Sequence, residues 1–273
     1  FIQEVRPACV VAGSNFATAL PACLAARESG VPFVYEVRGF WEITRASWDP
    51  GYEQSPTGRQ ELFYETSVAC AADAVVTLTN PMREELIARG VAPKRITVAP
   101  NACDPETFRP LGRDVDLMRD LGLYSDVPII GYAGSFNAYE GLDDVVRACG
   151  ALKQQGLVFR LMLIGVELPD HKGAFPVTEG INQLAAEAGL DEWLIMPGLV
   201  PHDDVRRWYS LIDIAPFARK SQPVTELVSP IKPLEAMAMG KAVVVSSVRG
   251  MEDMVSHGET GQVFPSGDVV ALE

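Results

Sequence analysis

Short continuous apolar runs alternate along the chain with longer amphipathic stretches. Ala8–Ala12, Pro32–Val37, Ala74–Leu78 and Arg95–Ala99 predict four strands. Unbroken apolar runs of this kind, separated by helices, are the pattern of a parallel sheet covered on both faces. Phe16–Ser29 predicts a helix ended by Gly30, and Thr57–Ala72 a long helix with Leu62, Phe63 and Val68 on its inner face. Asn80-Pro81 predicts a helix start with an Asn cap and proline in the first turn, and Gly90 stops that helix. Pro100–Gly112 breaks the rhythm with three prolines in a polar stretch and predicts an interdomain connector. The rhythm then resumes. Strands are expected at Pro128–Ala133, Phe159–Ile164, Trp193–Met196, Asp213–Pro216 and Ala242–Ser246. Helices are expected at Tyr139–Gln155, Val177–Ala188, His202–Leu211 and Pro230–Met239. The expected fold is α/β, with two Rossmann-like domains, 1–105 and 106–273, facing a cleft in which a ligand binds at the carboxyl ends of strands.

Composition narrows the function classes. A length of 273 residues suits two domains at roughly 100–200 residues each. A hydrophobic share of 48% excludes a disordered chain. The 23 Lys and Arg against 36 Asp and Glu give a net charge of −13, which argues against nucleic acid as a partner but leaves room for a local basic pocket. No apolar run approaches the roughly 20 residues of a membrane span. The five cysteines are scattered, odd in number and without a Cys-x-x-Cys pair, which predicts reduced thiols and a cytoplasmic location. The chain opens without Met or a Gly-rich turn before Ala8, and Glu273 falls where a helix begins. An incomplete N-terminal domain, a C-terminal domain lacking its last helix, and weak or no activity for this length of chain are therefore expected.

The most informative stretch is Ser229-Pro-Ile-Lys-Pro-Leu-Glu-Ala-Met-Ala-Met-Gly240. Ser229 reads as a helix cap, Pro230 as the first helical residue and Gly240 as a left-handed stop. The free N–H groups at Ile231 and Lys232 then form an anion site. Lys232 adds a full positive charge where the helix dipole disfavours one, a conflict that a bound anion resolves. Glu235 follows three residues on, along the same face. The alternative is a capped surface helix carrying a Lys–Glu pair. Asp114-Val-Asp116 has the form of a metal-binding Asp-x-Asp, but its place before Leu117–Leu121 favours a cap and a first-turn acid. His171, His202 and His257 have no zinc spacing, and neither a Gly-x-Gly-x-x-Gly fingerprint nor a P-loop occurs. No metal site and no cofactor are predicted.

These residues resemble the signature of the family 4 retaining glycosyltransferases, the group 1 glycosyltransferases of the GT-B fold. Other stretches agree in order: Val98–Asp104 with Phe108, Gly131–Ser135 with Glu140–Asp143, Pro197–Val200, Tyr209–Pro216, and Gly258–Gly261 with Phe264. Tyr35-Glu-Val-Arg-Gly-Phe-Trp-Glu42 looks like an exopolysaccharide-associated sub-branch. The resemblance implies a metal-independent transfer of a hexose from a nucleotide-diphosphate sugar to a glycan or lipid-linked acceptor. It implies a cytoplasmic enzyme, with peripheral attachment to the inner membrane face if the acceptor is lipid-linked.

The same resemblance implies roles for single residues. Glu235 holds the ribose hydroxyls. Lys232 and the N–H groups of Ile231 and Lys232 hold the diphosphate, with Arg219 as a helper. Gly134 and Ser135 give a close backbone approach to the donor, Gly198 and Val200 belong to the nucleobase loop, and Ser229 starts the helix. Glu226 lies one residue out of register for the family's first paired glutamate, which falls on Leu227. Ser135 and Glu140 stand where relatives often carry Arg and Lys, so Lys232 carries more of the phosphate contact. Arg38 replaces a His and grips an acceptor phosphate or acidic sugar, or else pairs with Glu36 or Glu42. Trp41 and Trp48 stack on a sugar or pack in the core. Two rival functions share this architecture: a sugar-nucleotide epimerase, and a non-catalytic two-lobed sugar-binding protein. Nucleotide binding separates the transferase and the epimerase from the binding protein, and transfer to an external acceptor separates the transferase from the epimerase.

Overall fold

The computed structural model of the chain describes residues 1–124, 127–170 and 172–273. They pack as two units, Phe1–Asn101 with Gln222–Ser229, and Ala102–Ser221 with Pro230–Glu273. A single break at 105/106 therefore captures only part of the division, because 222–229 leaves the second unit and packs with the first.

In the first unit, β1 (Val10–Gly13), β2 (Phe33–Val37), β3 (Ala74–Thr77) and β4 (Ile96–Val98) form a wholly parallel sheet in that order. Phe33, Tyr35, Val37 and Val75 are buried between the sheet and its helices. The helix Pro56–Ala71 turns Gly58, Glu65, Val68 and Ala69 inward. Leu62 and Phe63 were expected inside and are exposed. The expected Asn80 cap is replaced by Thr79, whose hydroxyl accepts from Met82 N at 3.1 Å, so that Asn80 is already helical. The same hydroxyl donates to Leu227 O at 2.6 Å. Asn101 Nδ2 donates to Ser229 O at 2.9 Å. These two contacts tie the 222–229 segment into the first unit. That segment contains a short helix, Pro223–Leu227, closed by a capping box between Gln222 and Thr225, which the hydrophobic pattern does not reveal.

The second unit carries β5 (Ile129–Ala133), β6 (Arg160–Ile164), β7 (Leu194–Gly198), β8 (Ile214–Phe217), β9 (Ala242–Ser246) and β10 (Gln262–Phe264). All pairs are parallel, in the order β10-β9-β8-β5-β6-β7. The chain runs outward from β5 through β6 to β7, then returns to the other side of β5 with β8 and runs outward again. The reversal of order between β5 and β8 leaves a crevice at their carboxyl ends, where ligands bind in open α/β sheets. β5 is buried along its whole length, as a central parallel strand must be. The expected helix Tyr139–Gln155 is interrupted: residues 138–140 form a single tight turn, and Leu142–Gln154 follows. Gly141 breaks it at φ 71°, a left-handed conformation that favours glycine. A β-carbon on Gly141 would overlap the carbonyl of Ala218, so the turn sits directly on the backbone leaving β8.

Candidate functional site

The crevice of the second unit is built from four pieces of chain: the end of β5, the 138–141 turn, the end of β8 and the start of the helix Lys232–Ala238. Lys232 is the residue they share. Its ammonium donates to Tyr132 OH at 2.7 Å and lies 3.4 Å from Glu140 Oε1. Tyr132 OH in turn donates to Ser135 O at 3.1 Å. Gly134 lies beneath the Lys232 side chain, and a β-carbon there would overlap it. The Glu140 carboxylate is buried and receives Arg219 twice, from Nη2 at 3.1 Å and Nε at 3.3 Å. Arg219 is held from behind, because its carbonyl accepts from Ser246 Oγ at 2.6 Å and Ser266 Oγ at 2.9 Å. Lys220 N donates to Tyr139 O at 2.9 Å, which pins the 138–141 turn.

The electrostatics follow from this packing. Burial lowers the pKa of the Lys232 ammonium, and Glu140 opposes that shift. Burial alone would raise the Glu140 carboxyl, but Arg219 and Lys232 together hold it below the ordinary carboxylate range. Burial pushes the Tyr132 phenol well up, which keeps it a neutral hydrogen-bonding group. Two cations against one carboxylate leave a local positive charge in a chain whose total is −13. The first-turn N–H groups of Ile231 and Lys232 have no helical carbonyl ahead of them to accept, as at any helix start.

Several expectations are corrected here. The helix starts at Lys232, with Ile231 in the cap position and Pro233 in the first turn, rather than with Ser229 as cap and Pro230 as its first residue. Ser229 is buried in the first unit, and its Oγ accepts from Asn101 Nδ2 at 3.2 Å. Gly240 does stop the helix in the left-handed region, at φ 71°. The alternative of a Lys232–Glu235 surface pair does not form: the ion-pair partner of Lys232 is Glu140. Glu235 is half-buried, and burial raises its carboxyl pKa. Glu140 and Tyr132 are the site residues that sequence reasoning missed. The signal was an acid next to a glycine that takes a left-handed turn.

Gly198 ends β7 at φ 80°, and its carbonyl accepts from Gly165 N at 3.0 Å. Val200 is partly buried against the core. Beside them a cavity of about 520 Å³ is lined by Phe136, Gly165, Met196 and Gly198. The start of the helix Pro176–Glu187 is closed to anions, because the buried Glu167 carboxylate accepts from Val177 N at 3.0 Å and Thr178 N at 2.8 Å. Asp114 caps its helix, accepting from Leu117 N at 2.9 Å, and pairs with Arg207 at 2.7 Å. Asp116 pairs with Arg119 at 2.7 Å. His257 Nδ1 accepts from Val263 N at 3.0 Å, and His171 lies outside the described residues.

In the first unit, Arg38 takes one of its two expected structural partners: Nε lies 3.6 Å from Glu36 Oε2, with both side chains well exposed. The guanidinium rests against Gly13, where a β-carbon would overlap it. Glu42 pairs instead with the buried Arg89 at 2.7 Å. Trp41 and Trp48 are 56% and 59% exposed, which excludes the core-packing alternative for both. Glu226 lies on the short helix Pro223–Leu227 and so belongs to the first unit, whereas Lys232 and Glu235 belong to the second. All five cysteines are free thiols, and no helix among the described residues is long and apolar enough to cross a membrane.

The sequence profile described as "Glycosyl transferases group 1" matches residues 127–273, and that of the "Glycosyl transferase 4-like domain" matches residues 1–102. The chain belongs to the group 1 glycosyltransferases. Among its curated relatives is a D-inositol 3-phosphate glycosyltransferase of Catenulispora acidiphila, 27% identical over 261 residues, covering 95% of this chain and 60% of the relative. Another is the amylovoran biosynthesis glycosyltransferase AmsK of Erwinia amylovora, 26% identical over 202 residues, covering 73% of this chain and 46% of the relative. The chain thus spans about half to 60% of the length of the curated relatives it matches. Among solved structures it is similar to Anabaena Alr3699/HepE in complex with UDP and glucose, with TM-score 0.77 and 17% identity, covering 99% of this chain and 68% of that one. The expected α/β class with parallel sheets, of the GT-B type, is the fold of these glycosyltransferase structures.

Proposed function

We propose that this group 1 glycosyltransferase moves a hexose from a nucleotide-diphosphate sugar to a glycan or lipid-linked acceptor, with retention of configuration and without a metal ion. The observation that carries the reading is the position of Lys232. It is a partly buried cation at a helix start, at the switch point of a parallel sheet, laid on a glycine that leaves the backbone open. Positive charge fixed at this place stabilises a leaving diphosphate as its charge develops. Arg219 assists from beneath, and the Gly134-Ser135 turn gives close approach. Glu235 is assigned to the ribose hydroxyls, and Gly198 and Val200, beside the cavity at the ends of β6 and β7, to the nucleobase. Arg38 and Glu226 are the acceptor- and sugar-side candidates. The acceptor hydroxyl attacks on the face from which the diphosphate departs. A lipid-linked acceptor would bring the protein to the cytoplasmic face of a membrane. The solved relatives that carry UDP, UDP with glucose or UDP-glucose support a nucleotide-sugar donor.

Calorimetry with a panel of nucleoside diphosphates, their sugars and the parent nucleosides tests this reading. A diphosphate is expected to bind at least tenfold more tightly than its nucleoside, about 1.4 kcal/mol. Equal affinity for the two would remove the diphosphate site, and with it the transfer reaction proposed.

A further inference from the structure

Glu140 is an acid placed inside a site read as binding phosphate, and the donor reading gives it no task. Its position is nonetheless closely built. Gly141 allows the turn to rest on the Ala218 carbonyl, Lys220 N holds Tyr139 O, and two serine hydroxyls fix the backbone of Arg219. The result is a carboxylate that is 2% exposed and faces two cations at once. Arg219 meets it through two nitrogens and Lys232 through one, on the same Oε1 that receives Arg219 Nη2.

The groups that face the Lys232 ammonium come from each neighbouring element: Tyr132 from β5, Glu140 from the turn, Arg219 from the end of β8, and Glu235 from its own helix. Tyr132 is neutral and Arg219 repels. Among the described residues the acid in ion-pair contact is Glu140, while Glu235 acts from further off. A partly buried amine beside a guanidinium, with no carboxylate against it, has every reason to release its proton or swing away.

We propose that Glu140 is a positioning residue: an internal counter-ion that keeps Lys232 charged beside Arg219 and turned onto the Gly134 backbone, ready for the diphosphate. This rests on the reading of Lys232 as the diphosphate contact. The positive charge of the site is supplied by Arg219 and Lys232 from separate elements, and the acid that both contact allows those two to lie close together.

The test is to titrate Lys232 by NMR of its labelled side chain in the unliganded protein, and to follow nucleoside diphosphate binding by calorimetry between about pH 7 and 10.5, a window in which the ligand phosphates keep their charge and an ordinary lysine loses its own. Wild type, Glu140→Gln, Glu140→Asp and Lys232→Ala are compared. Removing an opposite charge at this distance shifts a pKa by about one unit or more. The Lys232 titration and the alkaline limb of binding are therefore expected to move down by about one pH unit in Glu140→Gln, a tenfold change in proton affinity. Glu140→Asp, with a carboxylate drawn back by one methylene, moves both in the same direction by less, and decides the matter if the Gln variant does not fold. An unshifted Lys232 titration in either variant overturns the proposal and leaves Glu140 as a structural partner of Arg219. The donor reading fails differently: Lys232→Ala would then leave diphosphate affinity unchanged, whatever the Lys232 titration shows.

Discussion

Lys232 lies across the bare backbone of Gly134. A β-carbon on that glycine would stand 2.5 Å from the Lys232 ammonium nitrogen and 2.7 Å from its Cδ. Real side chains never approach so closely, so any residue but glycine would push the lysine out of the crevice and off Tyr132. Gly134→Ala is accordingly expected to act as a phosphate-site mutation although it removes no polar group. Nucleoside diphosphate affinity should fall about tenfold, roughly 1.4 kcal/mol. Calorimetry that shows no change would mean that Lys232 reaches the ligand from another conformation.

Lys232 and Glu235 are predicted to separate by ligand. A charge-assisted contact is worth roughly 1.5–3 kcal/mol. Lys232→Ala should weaken nucleoside diphosphate binding about 10- to 150-fold. It should hardly change the binding of a nucleoside, which has no phosphate to lose. Glu235→Gln should weaken both ligands alike, because both contain the ribose. A Lys232→Ala variant that weakens nucleoside and diphosphate equally would end the phosphate assignment.

The strand pattern was legible because parallel strands advertise themselves: the ends of β1 to β9 each fall within two residues of an expected strand. β10 escaped because only Phe264 of its three residues is buried. The face of the helix Pro56–Ala71 was misread for a related reason. Its inward acid, Glu65, is satisfied by Tyr35 OH and by Phe16 N at 2.6 Å, and neither partner is near it in sequence. Hydrophobicity alone assigns such a residue to the surface and turns Phe63 inward. At the site, Lys232 and Gly134 were visible as local motifs. Their meeting with Glu140 and Arg219 was not, because it is made by the sheet order that sets β5 beside β8. The helix start was misplaced because Ser229-Pro230 has the local form of a cap, while Ser229 packs with the first unit and its Oγ accepts from Asn101 of that same unit.

Glu65 gives a prediction for the pH dependence of stability. Burial raises its carboxyl pKa, and its hydrogen bonds from Tyr35 and Phe16 N only partly offset this. A carboxyl whose folded pKa lies above its unfolded value binds its proton more tightly in the folded state. Its contribution to stability is therefore greatest at low pH and declines as pH rises through the window between the unfolded and the raised folded value. At neutral pH the ionised, buried Glu65 costs stability. Glu65→Gln keeps an acceptor for Phe16 N and a partner for Tyr35 OH but never ionises. It is expected to leave the melting temperature at pH 7 unchanged or higher, and to lose part of the gain that the wild type shows on acidification toward that window. Melting curves of both proteins from neutral to mildly acid pH provide the check. A strongly destabilised Gln variant at pH 7 would mean that the carboxylate charge itself holds the first unit together.

The last prediction concerns metal. In a metal-dependent transferase the cation neutralises the departing diphosphate, and its ligands must be free to coordinate it. Here Asp114 is committed to Leu117 N and Arg207, and Asp116 to Arg119. The crevice already offers Lys232, Arg219 and the open N–H groups of a helix start, with the Glu140 carboxylate held between the two cations. A divalent cation there would meet two like charges and one occupied acid, whereas magnesium and calcium sites are built from several oxygen ligands. Affinity for a nucleotide-diphosphate sugar is therefore expected to be the same in excess chelator as in millimolar magnesium or manganese. Lys232→Ala should remain the larger effect in either buffer. A tenfold loss of affinity in chelator, restored by manganese and abolished by Asp114→Asn, would instead make the Asp114–Asp116 pair a metal site and demote Lys232 to a supporting role.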